Sequence, residues 1–272
     1  METQINNGEN RTNVEYFKPL LQRFISKNKN LYEESGYPFG LFIPYTMPNY
    51  INAPIKIFYA GIDTDYWTDK SVMLNGYNDN NLEDYFFANQ SNVTAEKSIK
   101  NWGNNAGAFW SFVNKFHLFI RTGKICDLTQ LSEDEMDIIK EIGYGNLNCM
   151  ELNKTLGKKG YDNSNLDIEK LSLLRKESRE FDKIEHILNA YNPDFIVILN
   201  WEDRDDYFGN IKFNWHKDLY IDKIRAVYTL EGYNTKIIWG PHPNRFKYLG
   251  KNQENMIREL GDLILSFINS AD

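Results

Sequence analysis

The chain has 272 residues, of which 42% are hydrophobic and 15% aromatic, so it is long enough to bury a large core. Its formal net charge of −7 and its pI near 5.3 argue against a protein that coats nucleic acid, because such proteins carry an excess of basic residues. A local basic patch is still compatible with this charge. We expect a single domain over residues 1–272, with residues 1–12 as a polar, flexible tail.

Cysteine and histidine are too sparse for the usual metal and disulfide sites. The two cysteines, Cys126 and Cys149, cannot build a disulfide framework or a four-thiolate cluster site, which favours a reducing compartment. The four histidines are scattered, without a pair at metal-binding spacing. We therefore expect neither a metal nor another cofactor.

The sequence also lacks the patterns of secretion and membrane insertion. Its N-terminus has no basic segment followed by an apolar one, as a secretory signal would. No apolar run approaches the ~18 residues needed to span a bilayer. These features predict a soluble, cytoplasmic protein without a membrane partner.

The first part of the chain predicts a helix, an irregular segment and a strand. Asn13 is a candidate N-cap, and apolar residues from Val14 to Ile25 recur at helical spacing. Residues 36–54 contain four prolines and are expected to be irregular. An apolar strand over 55–60 then ends at Gly61-Ile62-Asp63. Asp63 can be read either as a turn cap or as a carboxylate that faces a site.

The middle of the chain alternates polar loops with apolar elements. Residues 68–105 predict a long loop with one short helix, and 106–120 predict an aromatic helix that belongs to the core. A strand over 142–147 ends near Asn146. A small basic cluster beyond it is either a solvated loop or part of a binding face: Lys154, Lys158 and Lys159.

The following segments predict one long helix and two strands. Residues 167–191 have the pattern of a single charged amphipathic helix, and 195–199 form a fully apolar strand suited to the middle of a parallel sheet. Asn200 follows that strand. Residues 202–222 are expected to be a loop elaboration with an aromatic hairpin, followed by a strand at 226–230.

The segment from Lys236 to Gly250 concentrates the most chemistry. Ile237 to Trp239 predict a buried strand, and Gly240 and two prolines then make a stiff turn that presents His242. An amphipathic helix is expected over 252–268. The turn can be read as packing alone or as a ligand site.

Strands that alternate with helices predict a three-layer α/β/α sandwich with a central, mainly parallel four-stranded sheet. Polar residues follow the carboxyl ends of its strands: Asp63, Asn146, Asn200 and His242. Open α/β sheets bind ligands at this edge. The sequence therefore predicts one site there.

These residues, in this order, resemble the uracil-DNA glycosylase superfamily. The resemblance rests on Gly61-Ile62-Asp63, on Asn146, on the strand 195–199 and on His242-Pro243-Asn244 with the basic and aromatic residues that follow, and it covers about residues 55–250. Two positions depart from the family pattern. Thr64 stands where the family has proline, and Asn244 stands where it usually has serine.

The resemblance implies a role for each matching residue. Asp63 would position the attacking water and stabilise the sugar cation, and His242 would hydrogen-bond a carbonyl of the leaving base. Asn146 would read the base edge. Phe246 would be the wedge that fills the gap left by a flipped nucleotide. The remaining implied contacts are to the base from Ile62, Tyr66 and Trp67, and to DNA from Asn244, Arg245 and Lys247.

The expected function is that of a monomeric DNA glycosylase that removes uracil or another damaged or modified base by base flipping, in repair or in phage defence. The alternative is a catalytically inactive module of the same fold that binds DNA or a nucleotide. A small-molecule hydrolase is disfavoured, because the sequence has no Gly-x-Ser-x-Gly elbow.

Overall fold

The computed structural model describes residues 12–61, 68–90, 99–100, 103–105, 107–150, 165–200 and 205–270. Within these ranges the chain forms α-helices and one seven-stranded sheet. The helices are α1 Val14–Glu34, α2 Lys70–Asn78, α3 Glu83–Gln90, α4 Ala108–Thr122, α5 Glu133–Ile139, α6 Ile168–Ser178, α7 Ile184–Tyr191 and α8 Gln253–Asn269. The strands are β1 Tyr45–Thr46, β2 Ile57–Gly61, β3 Gly143–Asn146, β4 Phe195–Leu199, β5 Phe213–Trp215, β6 Ala226–Leu230 and β7 Lys236–Gly240.

The sheet has the strand order β1-β3-β2-β4-β7-β6-β5. Its four central strands, β3, β2, β4 and β7, are parallel, while β1, β6 and β5 pair antiparallel at the edges. The expected parallel centre is thus present, but the sheet has seven strands rather than the four expected. The strand expected at 226–230 is confirmed as β6. The sequence hides β1 and β5, because β1 has two residues in a proline-containing segment and β5 has three exposed ones.

Both faces of the sheet are covered by helices. Side chains along a strand alternate between the two faces, so the apolar central strands contribute residues to a core on each side. On one face Tyr59, Val197 and Ile238 belong to a core that includes residues of α4 and α8. On the other face Phe58 and Ile196 join a core that includes residues of α7. The central strands are therefore buried on both sides, which explains their continuous apolar sequences.

The N-terminal helix packs outside these two cores. Asn13 caps α1 as expected, since its Oδ1 accepts a hydrogen bond from the backbone N–H of Tyr16 at 3.1 Å. Phe17 and Leu21 of α1 contribute to a third apolar cluster, which also contains residues of α2, α3 and α6.

Two predicted elements differ from the structure. The single helix expected over 167–191 is wrong: α6 ends at Ser178, a 3₁₀ turn follows over Arg179–Asp182, and α7 begins at Ile184. Asp182 explains the break, because it is buried and accepts from the backbone N–H of Cys149 at 2.8 Å while pairing with Arg175 at 2.7 Å. That tertiary contact leaves no trace in helical periodicity.

The segment 68–105 also holds more structure than one short helix. Its described part contains two α-helices, α2 and α3. The Asp69 side chain caps α2 by accepting from the backbone N–H of Ser71 at 2.7 Å. Leu82 and Tyr85 are fully buried, so the segment packs on the protein despite its asparagine-rich composition.

Candidate functional site

The four parallel strands end level with one another at one edge of the sheet, here called the carboxyl edge. Gly61 of β2 pairs with Asn146 of β3, and Leu199 of β4 pairs with Gly240 of β7. After β2 the chain leads to β3 on one side, whereas after β4 it leads toward β6 and β7 on the other. The connections from β2 and β4 thus run in opposite directions, which leaves a crevice between the ends of these two strands. Open α/β sheets bind ligands in a crevice of this kind.

Asn146 lies at this edge and is held from two sides. It is 4% exposed, and its Oδ1 accepts a hydrogen bond from the hydroxyl of Tyr144 at 2.9 Å. A β-carbon built on Gly61 would come within 2.9 Å of the same oxygen. A side chain at position 61 would therefore displace the Asn146 amide, which gives a physical reason for glycine there.

His242 is half-buried at the end of the β7 turn, where it caps the 3₁₀ segment Pro243–Leu249. Its Nδ1 accepts from the backbone N–H of Asn244 at 3.2 Å, so the neutral ring carries its proton on Nε2. Burial, together with the nearby charge of Arg245, lowers the pKa of His242 below its usual 6.5. The ring is thus a neutral Nε2–H donor at pH 7.

Phe109, at the start of α4, lies between His242 and the ends of β2 and β3. Its ring stacks on His242, with a centroid distance of 6.2 Å and an interplanar angle of 27°, and meets Tyr144 edge-on at 5.5 Å. A β-carbon on Gly61 would lie 3.3 Å from the same ring. His242, Asn146 and Phe109 therefore converge through a continuous chain of contacts.

Sequence reasoning assigned Phe109 to the core and did not select Tyr144. The missed signal for Tyr144 is its position two residues before Asn146 on one strand, which puts both side chains on the same face. Helical periodicity gave no such signal for Phe109, because it is one of several aromatic residues in α4.

The residues after His242 divide into a buried and an exposed set. Asn244, Arg245 and Lys247 are exposed, as expected of residues that contact DNA. Tyr248 is 71% exposed, and the cations of Arg245 and Lys247 lie 5.8 and 5.1 Å from its ring centroid. We call Arg245, Lys247 and Tyr248 the basic–aromatic patch.

Phe246 does not occupy the position expected of a wedge. It is 3% exposed and packs edge-on against Phe112 of α4 at 5.1 Å. Its spacing from His242 suggested insertion into DNA, but the 3₁₀ turn directs it into the core. Tyr248, two residues later, is the exposed aromatic side chain of this segment.

Several predicted site residues lie outside the described residues. These are Ile62, Asp63, Tyr66 and Trp67, together with the lysines at 154, 158 and 159. The described chain fixes only where the first group begins, since β2 ends at Gly61.

Asn200, the residue after β4, is buried and makes an uneven set of contacts. Its backbone carbonyl accepts a hydrogen bond from the indole N–H of Trp239. Its side-chain Nδ2 is buried and has no hydrogen-bond partner among the described residues. Among the described residues, Asn200 therefore brings a buried, unsatisfied amide donor to the carboxyl edge.

A second histidine, His117 of α4, lies within the core away from this edge. It is fully buried, with Nδ1 3.1 Å from the hydroxyl of Tyr59 and Nε2 3.7 Å from a carboxylate oxygen of Glu141. Arg121 donates to Glu141 at 2.7 Å. Burial lowers the pKa of His117, although the Glu141 carboxylate acts to raise it.

Comparisons of this chain with protein-family models, with curated proteins and with solved structures give no match. Two further findings concern only the described part of the chain. It contains no group of three or more His, Cys, Asp and Glu side chains arranged to hold a metal ion. None of its helices combines the length and apolar character needed to cross a membrane.

Proposed function

We propose that this protein is a DNA glycosylase that hydrolyses the N-glycosidic bond of uracil or of another damaged or modified base. The base is flipped into the crevice at the carboxyl edge, within a three-layer α/β/α arrangement. The observation that carries the proposal is His242, a neutral Nε2–H donor beside Phe109 and near Asn146. The reaction serves repair or defence against phage DNA.

Cleavage of an N-glycosidic bond needs a donor of this kind. As the bond breaks, its electron pair stays with the base, so negative charge develops on a base carbonyl while positive charge develops on the sugar. The Nε2–H of His242 stabilises the carbonyl oxygen without transferring its proton. Removing one such preorganised donor typically costs about 10²–10³ in rate.

Asp63 completes the reaction in this proposal. Its carboxylate stabilises the sugar cation and orients a water molecule, whose oxygen bonds to C1′ while its proton leaves with the base or to solvent. The products are an abasic site and a free base. The position of Asp63, two residues past the end of β2, supports this role.

Recognition of the flipped base falls to Asn146 and Phe109. An amide offers both a donor and an acceptor to a base edge, and an aromatic ring offers a stacking surface worth about 1–3 kcal/mol per base. In the family pattern Ile62, Tyr66 and Trp67 would add contacts from the turn after β2.

The basic–aromatic patch supports DNA as the partner. Arg245 and Lys247 can neutralise backbone phosphates, which reconciles DNA binding with an overall charge of −7. Tyr248 takes the role that the sequence suggested for Phe246, because it is exposed and both cations lie within 6 Å of its ring centroid. Its insertion into the stack would offset part of the cost of flipping a base.

A binding module without catalysis is the second candidate. It is favoured by the two departures from the family pattern, Thr64 and Asn244, and by a patch that needs no chemistry to bind DNA. Both candidates predict DNA binding, and only the first predicts an abasic product.

A glycosylase assay separates the two. The full chain, with and without a chelator, is incubated with single- and double-stranded oligonucleotides that carry uracil, hypoxanthine, 5-hydroxymethylcytosine or glucosylated cytosine. Alkali-labile sites report base release. Asp63→Ala is compared with the control Asp79→Ala, which removes an exposed carboxylate just beyond α2.

We expect release of at least one base, abolished by Asp63→Ala and retained by Asp79→Ala. DNA binding without any base release would favour the binding module. Base release that survives Asp63→Ala would instead exclude Asp63 as the catalytic carboxylate.

A further inference from the structure

The outer strand of the sheet ends in a pair of exposed aromatic side chains. β5 is the edge strand beyond β6, and all three of its residues are exposed. Trp215 at its end is 44% exposed, and Tyr220, which follows a short 3₁₀ turn, is 36% exposed. The two rings meet edge-on with a centroid distance of 5.3 Å. Exposed apolar side chains that cluster in this way are typical of binding surfaces.

Packing on the core does not account for these two rings. Neither of them belongs to the apolar clusters of the described chain. Phe213, the other aromatic residue of β5, by contrast stacks on the buried ring of Phe208 at 4.3 Å. Trp215 instead has the ammonium group of Lys217 5.7 Å from its ring centroid. We call Trp215, Lys217 and Tyr220 the β5 patch.

The charge around the β5 patch is basic, unlike that of the whole chain. Residues 212–225 contain four basic and two acidic side chains, whereas the chain carries a net charge of −7. Lys212 pairs with Glu231 at 3.6 Å. Lys217 and Lys223 are exposed and make no ion pair among the described residues. An anionic ligand therefore finds two uncompensated cations beside the exposed rings.

The turn that carries Lys217 and Tyr220 lies at the carboxyl edge. β5 pairs antiparallel with β6, and β6 pairs antiparallel with β7, so β5 and β7 run in the same direction. The chain therefore leaves β5 toward the carboxyl edge. There the carbonyl oxygen of Ile224 would lie 3.4 Å from a β-carbon built on Gly240, two residues before His242. The patch thus stands on the side of the sheet where the proposed site lies.

The backbone of β5 is poorly suited to pairing with a second copy of the chain. The strand has only three residues, and a lysine stands close to each of its ends, Lys212 and Lys217. Short edge strands with lysines are a common protection against edge-to-edge pairing. The side chains of the β5 patch, rather than its backbone, are therefore the feature that needs a ligand.

We infer that the β5 patch stacks an unpaired nucleotide of the DNA strand whose base enters the crevice, so that the substrate is single-stranded or locally opened DNA. The inference rests on the proposed glycosylase function. In a duplex the faces of the bases are covered by their neighbours, so exposed rings can stack only on unpaired bases. Lys217 and Lys223 would neutralise the adjoining phosphates.

Fluorescence anisotropy of a labelled oligonucleotide tests the inference on the full chain. An unmodified single strand is compared with the same strand in a duplex, so the measurement does not depend on base release. The variants are Trp215→Ala and Trp215→Phe, the second of which keeps an aromatic ring. The control Phe87→Ala removes an aromatic side chain on α3 that is 51% exposed. Thermal unfolding is recorded for each variant.

We expect Trp215→Ala to weaken binding of the single strand by about 5- to 150-fold, the range for one lost base–aromatic stack, and to leave duplex affinity unchanged. Trp215→Phe should keep most of the affinity, and Phe87→Ala should keep all of it. Lys217→Ala should lower the slope of log K against log salt for the single strand by about 0.7, because one phosphate contact is lost.

Two results would overturn the stacking role: an equal loss of affinity for single strand and duplex, or an unchanged affinity of Trp215→Ala. Sedimentation identifies a further alternative. If Trp215→Ala converted a dimer into a monomer without changing DNA affinity, the patch would be an interface between copies of the chain.

This inference and the proposed function fail in different ways. A wild-type chain that binds the single strand through Trp215 but releases no base contradicts the glycosylase and supports the binding module. A wild-type chain that releases uracil, beside a Trp215→Ala variant with the wild-type preference between single strand and duplex, contradicts only the stacking role.

Discussion

The two histidines His242 and His117 show how one side chain serves two regions differently. Burial is the main cause of a lowered pKa at both. His117 is fully buried, and its two ring nitrogens face Tyr59 and Glu141. His242 is half-buried, and only its Nδ1 has a hydrogen-bond partner among the described residues.

The difference teaches that a shifted pKa does not by itself locate a functional site. The Nδ1 of His117 hydrogen-bonds the Tyr59 hydroxyl, and its Nε2 is buried 3.7 Å from the Glu141 carboxylate with no hydrogen-bond partner among the described residues, so neither nitrogen is accessible to a ligand. His242 holds one nitrogen with its own turn and keeps an N–H donor at the edge where ligands bind. The partly exposed donor at the carboxyl edge, rather than the titration, distinguishes the site.

The largest expected effect comes from exchanging each histidine in turn. His242→Gln should lower the rate of base release by about 10²–10³, because one preorganised donor is lost. His117→Gln should leave the rate per folded molecule unchanged and lower the free energy of unfolding by about 1–3 kcal/mol, since buried polar partners are left unpaired. Single-turnover kinetics and urea unfolding measure the two quantities. If both variants lost activity in proportion to their stability, the contrast between the two regions would disappear.

A second pair of variants applies the same contrast to aromatic residues. Phe246→Ala should lower the free energy of unfolding by about 3–5 kcal/mol, because Phe246 is buried against Phe112. Tyr248→Ala should leave stability unchanged and weaken productive DNA binding, with one base stack worth about 1–3 kcal/mol.

Urea unfolding and binding titrations with an oligonucleotide that carries the excised base check this pair. A Tyr248→Ala variant with unaltered DNA affinity and rate would remove Tyr248 as the inserted residue.

The pH dependence of stability sharpens the account of His117. Its folded pKa lies below the usual 6.5, so the unfolded chain takes up the proton first as pH falls. The contribution of neutral His117 to the free energy of unfolding is fully present above about pH 6.5. It declines as the pH falls toward the folded pKa, by at most ~1.4 kcal/mol per pH unit for one group. His186 and His242 shift in the same direction and add to the slope.

Urea unfolding between pH 7.5 and 5 measures this slope for the wild type and for His117→Gln, which should show a smaller one. Glu141 does not interfere in this window. Burial acts to raise its pKa, but the hydrogen bond from Arg121 and the nearby His117 ring prevail and lower it below 4.5. An identical slope in both proteins would mean that His117 does not titrate differently on folding.

The smallest expected effect concerns the two cations of the basic–aromatic patch. Arg245→Ala and Lys247→Ala should each weaken DNA binding across sequences and reduce the salt dependence of log K by about 1, because one phosphate contact is lost. The control Lys176→Ala removes an exposed lysine on α6. Binding titrations at several salt concentrations measure the slopes. Equal slopes for all three variants would move the DNA surface elsewhere.

Much of the fold follows from the sequence alone. The central strands are continuous apolar runs, and α1 and α8 each carry an apolar face and a capping asparagine. Local sequence patterns are therefore enough to locate these elements in the chain. The prediction that Asn146 and His242 follow strands that end at one edge is confirmed by the strand register and by the chain of contacts through Phe109 and Tyr144. The strand expected at 226–230 is confirmed as β6, whereas β1, β5 and the division of 167–191 into two helices were not predictable, because distant backbone and side-chain partners create them.

The sequence by itself determined which residue types stand after the central strands, since that order is written in the chain. Only the tertiary structure decided which of them are available. Phe246 and Tyr248 are aromatic residues separated by a single lysine, and the 3₁₀ turn buries the first and exposes the second. Likewise Phe109 reaches His242 through packing across more than a hundred residues of chain. Contacts of that range depend on three-dimensional packing, which local sequence patterns do not encode.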